Sequence, residues 1–235
     1  MKVKELMPAE PEKVSSESEM DYERIRDFII SFSKDDEGIL GELHDLAMRD
    51  EVPIIRTESR DFIKMLLRIV RPGRILEIGT AVGYSALVMA SVMESMRDDV
   101  HIDTCEMDSD RIAVAKDFIS RAGMDDKITI YEGDAEVSLE GLSGNSYDFV
   151  FIDAAKAQYR NYLDKVMEMV HEGSVIVSDN ILADGDVLES HFLVQKRDRT
   201  IHDRMRDYLY YIKNNERLET AILSVADGMA VSVVK

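Results

Sequence analysis

The chain has 235 residues, 29 basic and 47 acidic side chains, and a formal charge of −18. That length suits one α/β domain with a sizeable core, and the acidity excludes wholesale coating of nucleic acid, which needs clustered Lys and Arg. A single cysteine, Cys105, excludes an internal disulfide, and with no apolar run of membrane-spanning length and no signal-peptide core the expectation is a cytoplasmic protein without membrane contact.

Residues 1–20 are polar, carry both early prolines and show no apolar period, so they read as a mobile extension ahead of a single domain, 21–235. Ile25, Phe28 and Ile29 fall at helical spacing, and Ile39, Leu40, Leu43, Leu46 and Ala47 give a second helix. The segment around Pro53 is extended. A third helix runs from about Thr57 to Val70, with Phe62, Met65, Leu66 and Ile69 on one face, and Pro72-Gly73 ends it. These N-terminal helices (21–71) precede a core (72–235) in which strands and helices alternate.

The core opens with Ile75, Leu76 and Ile78 as a short apolar strand, a turn at Gly79 and Gly83, and Leu87, Val88, Ala90 and Met93 at helical spacing. Glycines in such a strand–turn–helix unit let the backbone approach a ligand, and the helix presents unpaired N–H groups. The spacing is G-x-x-x-G rather than G-x-G-x-x-G, and Glu77 stands two residues before the first glycine. A carboxylate there repels pyrophosphate and attracts a ligand with positive charge. S-adenosylmethionine, with its ammonium and sulfonium, is such a ligand; an ordinary tight turn is the bland alternative.

His101–Cys105 is the next strand, followed by an Asp108-capped helix (Ile112, Ala115, Phe118, Ile119, Ala122) closed by Gly123. Ile128–Tyr131 is a strand leading to Gly133-Asp134, and Tyr147–Asp153 is another, followed by a helix with Tyr159, Tyr162, Leu163, Val166 and Met169. Ser174–Ser178 is a buried strand ending in Asp179-Asn180. This alternation implies a parallel sheet with right-handed crossovers. Thr220–Val225 and Met229–Val234 flank Asp227-Gly228, a hairpin signal less typical of dehydrogenases.

In an open α/β sheet the ligand lies beyond the carboxyl ends of the strands. There the chain places an acid after strand upon strand: Glu77, Glu106, Asp134, Asp153 and Asp179. Glu106, at the end of the second strand, is placed to accept hydrogen bonds from ribose hydroxyls. Asp153, Asp179 and Asn180 are hard oxygen donors suited to Mg²⁺ or Ca²⁺ rather than zinc, although each alone also fits a helix or loop cap. Lys156, three residues after Asp153, is within reach of the same site and beside a metal can serve as a base; alone it reads as a surface lysine. His44, His101, His171, His191 and His202 show no ligand spacing and read as structural or surface residues.

Arg56, Arg60, Lys64 and Arg68 make a basic stripe on one helix face, and Lys196, Arg197, Arg199, Arg204 and Arg206 a second cluster with Tyr208, Tyr210 and Tyr211 just beyond. Phosphate contacts plus a stacking ring would hold a splayed base. The interleaved Glu58, Asp61, Asp198, Asp203 and Asp207 offer these cations intramolecular partners instead.

From about Pro53 to Lys235 the chain resembles the cation-dependent O-methyltransferases of the catechol and caffeoyl-CoA type. The resemblance rests on L-E-I-G-T-A-V-G-Y-S ending at Ser85, on E-M-D from Glu106, on G-D-A ending at Ala135, on Y-D-F-V-F-I-D-A-A-K ending at Lys156 and on V-I-V-S-D-N ending at Asn180. It implies a Rossmann-like class I methyltransferase fold, a mostly parallel seven-stranded sheet with a C-terminal antiparallel hairpin and extra N-terminal helices. It further implies S-adenosylmethionine bound through Glu77, Gly79, Ser85, Glu106, Asp134, Ala135 and Asp153. Mg²⁺ or another divalent cation would sit on Asp153, Asp179 and Asn180, with Lys156 as catalytic base beside Asp153, in a homodimer. V-Q-K-R-D-R-T ending at Thr200 and L-S-V-A-D-G-M-A-V near the end resemble the bacterial branch that methylates 5-hydroxyuridine at the tRNA wobble position. That implies a tRNA anticodon loop as partner and 5-methoxyuridine as product; a small-molecule vicinal hydroxyl, on catechol or a caffeoyl-CoA-like compound, is the alternative. Either acceptor offers a hydroxyl beside a second oxygen, so one metal chemistry serves both.

Overall fold

The computed structural model describes residues 22–183 and 185–235; the extension expected over 1–20 lies outside the described residues. The chain divides at Lys34–Asp35 into two units. In the first, α1 (Tyr22–Ile30) is the described helix, and the rings of Phe28 and Phe32 meet edge to face at 5.0 Å.

The second unit begins with α2 (Gly38–Arg49) and α3 (Thr57–Val70). It continues with β1 (Arg74–Ile78), α4 (Tyr84–Glu94), β2 (His101–Glu106), α5 (Ser109–Arg121), β3 (Ile128–Glu132) and α6 (Ala135–Gly141). Then come β4 (Tyr147–Ile152), α7 (Tyr159–Val166), β5 (Val170–Ser178), α8 (Arg199–Asn214), β6 (Leu218–Leu223) and β7 (Met229–Val234). The strands form one seven-stranded sheet in the order β3-β2-β1-β4-β5-β7-β6. Pairs among β1 to β5 are parallel, and β7 runs antiparallel to both β5 and β6. The order reverses direction between β1 and β4, and a switch point of this kind opens a crevice at the carboxyl ends of the strands.

Alternate strand residues feed two cores. Ile75, Phe149, Phe151 and Val177 pack on the face of α2 to α5, and Leu76, Ile78, Val150, Ile152 and Ile176 on the face of α6 to α8. A strand buried on both faces reads as an unbroken apolar run, which is why Phe149–Ile152 is so easily recognised in the sequence.

Four details depart from expectation. On α3 the buried side is Ser59, Arg60, Ile63 and Leu67, with Phe62 and Leu66 partly buried against the core, while Met65 and Ile69 are exposed; the apolar arc is wider than the buried face, and the polar partners of Ser59 and Arg60 lie at that face's edge. α6 was not foreseen: Asp134 starts it by accepting the N–H of Glu136 at 2.7 Å. β5 begins at Val170, before Ser174. β6 ends at Leu223, so residues 224–228 form a broader hairpin loop around Asp227.

Candidate active site

The turn after β1 is set by contact with the turn after β4. Gly79 has φ +104°, and a Cβ there would lie 2.1 Å from the carbonyl oxygen of Asp153. The N–H of Asp153 donates to Ile78 O at 3.0 Å, and the N–H groups of Gly79 and Thr80 both donate to Cys105 O at 3.1 Å. Three strand ends are thus bound to one another by backbone alone. Gly83 (φ +87°) then caps α4 against Ala115 of α5.

These ends surround a cavity of about 990 Å³, at the upper end of the size range of small-molecule sites. Gly79 and Ser85 line it from the β1–α4 segment, Glu106 from β2, and Asp134 and Ala135 from the end of β3. Asp153 and Lys156 line it after β4, Asn180 after β5, and Asp227 from the β6–β7 loop. By strand order the first group lies on one side of the switch point and the second on the other.

Glu77 and Asp179, both named from sequence, do not line the cavity; they are buried behind it. Glu77 Oε2 accepts the Thr104 hydroxyl at 2.5 Å, and Oε1 has no hydrogen-bond partner among the described residues. Burial pushes the Glu77 carboxyl up to about 7 against the opposing hydroxyls of Ser85 and Thr104, with Asp153 and Glu106 adding like charge. An unpartnered buried carboxylate oxygen beside cavity-lining Ser85 fits a cationic ligand group. Glu106 is more engaged than its assignment to ribose implied: Oε2 accepts the N–H of Ala81 at 2.8 Å, and Oε1 those of Met107 and Asp108 at 2.9 and 3.0 Å. A carboxylate has about four lone-pair sites, so it can still accept a ligand hydroxyl while holding the loop in shape.

On the other side, Asp153 Oδ1 accepts Asn180 Nδ2–H at 2.8 Å, and Asp179 Oδ1 accepts the Asn180 N–H at 2.9 Å and the Ser59 hydroxyl at 3.2 Å. The second oxygen of each carboxylate makes no hydrogen bond to the described residues. Asn180 itself is in the left-handed region, φ +55°. Burial raises Asp153 above the ordinary carboxylate range, and burial with the neighbouring Asp153 charge raises Asp179 to about 7. Two hard carboxylates, Asp153 under the charge of Lys156 and Asp179 with no ion pair among the described residues, fit a divalent metal, provided Asn180 turns its amide oxygen inward. Lys156 Nζ stands 3.6 Å from Asp227 Oδ2. Asp227 is 7% exposed, and its part in the cavity was hidden in the sequence behind a turn motif.

The basic stripe on α3 is divided: Arg56 and Arg68 are exposed, while Arg60 and Lys64 are turned to internal partners. Arg60 is buried, donating to Asp36 at 2.9 Å and Asp61 at 3.0 Å, and Lys64 Nζ donates to Asp36 at 3.0 Å. Tyr84 also donates to Asp36. In the second cluster Arg199, Arg204 and Arg206 donate to backbone carbonyls of Val194, Ala157 and Val187, and the buried Tyr208 hydroxyl pairs with Ser178. The ring of Tyr211 is covered by Arg160. Lys196, Arg197 and Arg204 are exposed, Arg197 at 78%. His202 is buried and His191 partly exposed, and both meet at Asp203.

Solved structures share this fold. A Staphylococcus aureus protein provisionally named a caffeoyl-CoA O-methyltransferase superposes with a TM-score of 0.82 at 29% identity, over 90% of this chain and 100% of that one. An O-methyltransferase from Bacillus cereus, solved in complex with SAH, gives 0.78 at 23% identity over 90% and 97% and speaks to the fold alone. Fold and cavity define a Rossmann-like methyltransferase. The O-methyltransferase family model matches residues 30–235, and the chain belongs to that family. A caffeoyl-CoA O-methyltransferase of Eucalyptus globulus is 29% identical over 197 residues, 81% of this chain and 79% of its own length. The tapetum-specific methyltransferase 1 of Arabidopsis thaliana is 28% identical over 173 residues, 72% of this chain and 73% of its own.

Proposed function

We propose that the chain moves the methyl group of S-adenosylmethionine to a hydroxyl of a small acceptor carrying two neighbouring oxygens, with a divalent cation held by Asp153, Asp179 and Asn180. One observation carries this reading. A single cavity straddles the switch point, with the glycine turn, Ser85, Glu106 and Ala135 on one side and Asp153, Lys156, Asn180 and Asp227 on the other.

Glu77 neutralises the donor's ammonium, the Gly79 turn gives its tail close backbone approach, and Glu106 accepts from ribose. A cation on the oxygen cluster supplies the positive charge that lowers the acceptor hydroxyl's pKa and orients it. Lys156, as the neutral amine, would take the hydroxyl proton at Nζ, and the ammonium so formed would pair with Asp227. The acceptor oxygen forms its bond to the methyl carbon as the sulfur–carbon bond breaks in line, and positioning within the closed wall of strand ends provides most of the gain.

The relatives named caffeoyl-CoA O-methyltransferase and the internal use of Arg60 and Lys64 support a small vicinal dihydroxy compound as acceptor. A second reading, 5-hydroxyuridine in the tRNA anticodon loop, is favoured by the exposed Phe192, Leu193 and Arg197 beside one another in the segment before α8. A homodimer would bury the exposed Met65 and Ile69 of α3, which light scattering tests.

Purified protein is offered S-adenosylmethionine and Mg²⁺, with and without EDTA, beside a catechol and caffeoyl-CoA panel and tRNA containing 5-hydroxyuridine. An EDTA-sensitive methyl gain on the dihydroxy compounds supports the first reading. Gain on the uridine alone selects the second. No transfer to either with metal present rejects both acceptors.

A further inference from the structure

Outside the cavity, one cluster among the described residues has donors of a different kind. His202, in the first turn of α8, is 3% exposed. Its Nε2 lies 3.0 Å from the backbone oxygen of Glu189. A carbonyl only accepts, so Nε2 carries the hydrogen, and in the neutral ring Nδ1 is a lone pair. That Nδ1 faces Asp203 Oδ1, another acceptor, at 2.9 Å, and His191 Nδ1 reaches the same oxygen at 2.8 Å. His191 can meet that oxygen as its Nδ1–H tautomer, but His202 Nδ1 and Asp203 Oδ1 are both acceptors and need a proton or a metal ion between them.

We propose that His191, His202 and Asp203 form a second metal site, taking Zn²⁺ or a similar imidazole-loving ion, distinct from the all-oxygen cluster of Asp153, Asp179 and Asn180. Their ligand atoms all lie within 4.8 Å of one another. The Glu189 carbonyl behind His202 is the outer hydrogen bond by which metal-binding imidazoles are held in one tautomer. Two nitrogens and a carboxylate oxygen suit zinc and leave one tetrahedral position for water, whereas Mg²⁺ prefers the oxygen cluster. Zinc–ligand bonds of about 2.0–2.1 Å at tetrahedral angles separate ligand atoms by roughly 3.3 Å. The present contacts therefore widen by about half an ångström on binding, a movement open to the His191 and Asp203 side chains, which are 40% and 53% exposed.

The placement gives such an ion a structural task. His191 lies in the segment between Asn180 and α8, and His202 and Asp203 lie on α8 itself. α8 also holds the turn that carries Lys156, through Arg204 and the Ala157 carbonyl at 3.0 Å. A bound ion would brace the chain leaving Asn180 against the helix that supports Lys156, and would fix the exposed Phe192 and Leu193.

The test titrates Zn²⁺ into full-length protein in excess Mg²⁺ by calorimetry, with Co²⁺ as the spectroscopic probe. Wild type and Asp153→Ala are expected to bind Zn²⁺ alike and to give the intense visible band of tetrahedral Co²⁺. His191→Ala and Asp203→Asn, both at exposed side chains, should weaken binding by more than the roughly 10–100-fold typical of outer-shell changes. Trypsin cleavage after Lys196 and Arg197 should slow with Zn²⁺ in wild type and not in His191→Ala. Absence of Zn²⁺ binding, binding abolished by Asp153→Ala, or binding unchanged in both His191→Ala and Asp203→Asn overturns the site and leaves protons as the bridging charge.

Discussion

The carbonyl oxygen of Asp153 fills the place a side chain on Gly79 would need, 2.1 Å from where its Cβ would stand. The donor turn and the first residue of the oxygen cluster are therefore locked by a backbone contact that only glycine permits. Gly79→Ala combines this clash with a φ of +104° and is expected to cost about 1–3 kcal/mol or more from backbone strain alone. Calorimetric binding of S-adenosylhomocysteine should be lost even where urea unfolding shows the variant still folded. Normal binding would mean that the two turns can part freely.

On the proposed function, Glu77 is expected to give the donor side its pH dependence. Its carboxyl, raised by burial to about 7, keeps a proton in the folded protein that the unfolded chain releases near the ordinary carboxylate value of about 4.3. Its contribution to stability is therefore full below that lower value and is lost as pH rises through the window to about 7. A ligand ammonium favours the carboxylate, so S-adenosylhomocysteine affinity measured in EDTA should rise from about pH 5.5 to 7. Glu77→Gln should bind more weakly and lose that slope. A wild-type affinity flat across the window would contradict the assignment.

Lys156 and Asp227 are expected to act as a pair. Lys156→Met should reduce kcat by about 10²–10⁴-fold, the usual share of a general base. Asp227→Asn should lower kcat on the order of tenfold with the KM for the methyl donor unchanged. An equal effect on donor binding would show that Asp227 shapes the cavity and does not steady the amine.

Asp36 holds three partners in the wall behind α3. Burial raises its carboxyl, but hydrogen bonds from Tyr84 and Lys64 with the charges of Lys64 and Arg60 outweigh it, and the net lies below the ordinary range. The stability it supplies is full above the unfolded value of about 3.9 and is lost as pH falls through the lower folded value. Asp36→Ala removes one carboxylate partner of Arg60, whose side chain is 4% exposed and which keeps Asp61, and should cost about 1–3 kcal/mol at neutral pH. Urea unfolding of variant and wild type at pH 7 and at pH 3 should show that difference shrinking in acid.

Much of the site is legible in the residues alone because it is local. Gly79, Glu77 and the strand-end acids follow short apolar runs, and period and punctuation locate them. What remained hidden depends on partners far along the chain. Arg60 reads as part of a basic stripe until Asp36, 24 residues earlier, turns it inward, and the buried face of α3 shifts with it toward Ile63 and Leu67 while Phe62 and Leu66 stay against the core. Asp227 reads as a hairpin residue because nothing local reveals that its loop hangs over the end of β5. His191 and His202 lack ligand spacing because a loop, not a helical repeat, brings them together.

The insertion of β7 between β5 and β6 bears on how the protein is made. A chain emerging from the ribosome can pair β1 to β5 early, since domains build from the N-terminal side during synthesis. Until residues 229–234 arrive, however, β5 keeps an open apolar edge, the kind of surface that invites pairing with another nascent chain. The same event carries Asp227 to Lys156. On the proposed mechanism, competence for chemistry and protection from aggregation are thus acquired together, with the arrival of a single strand.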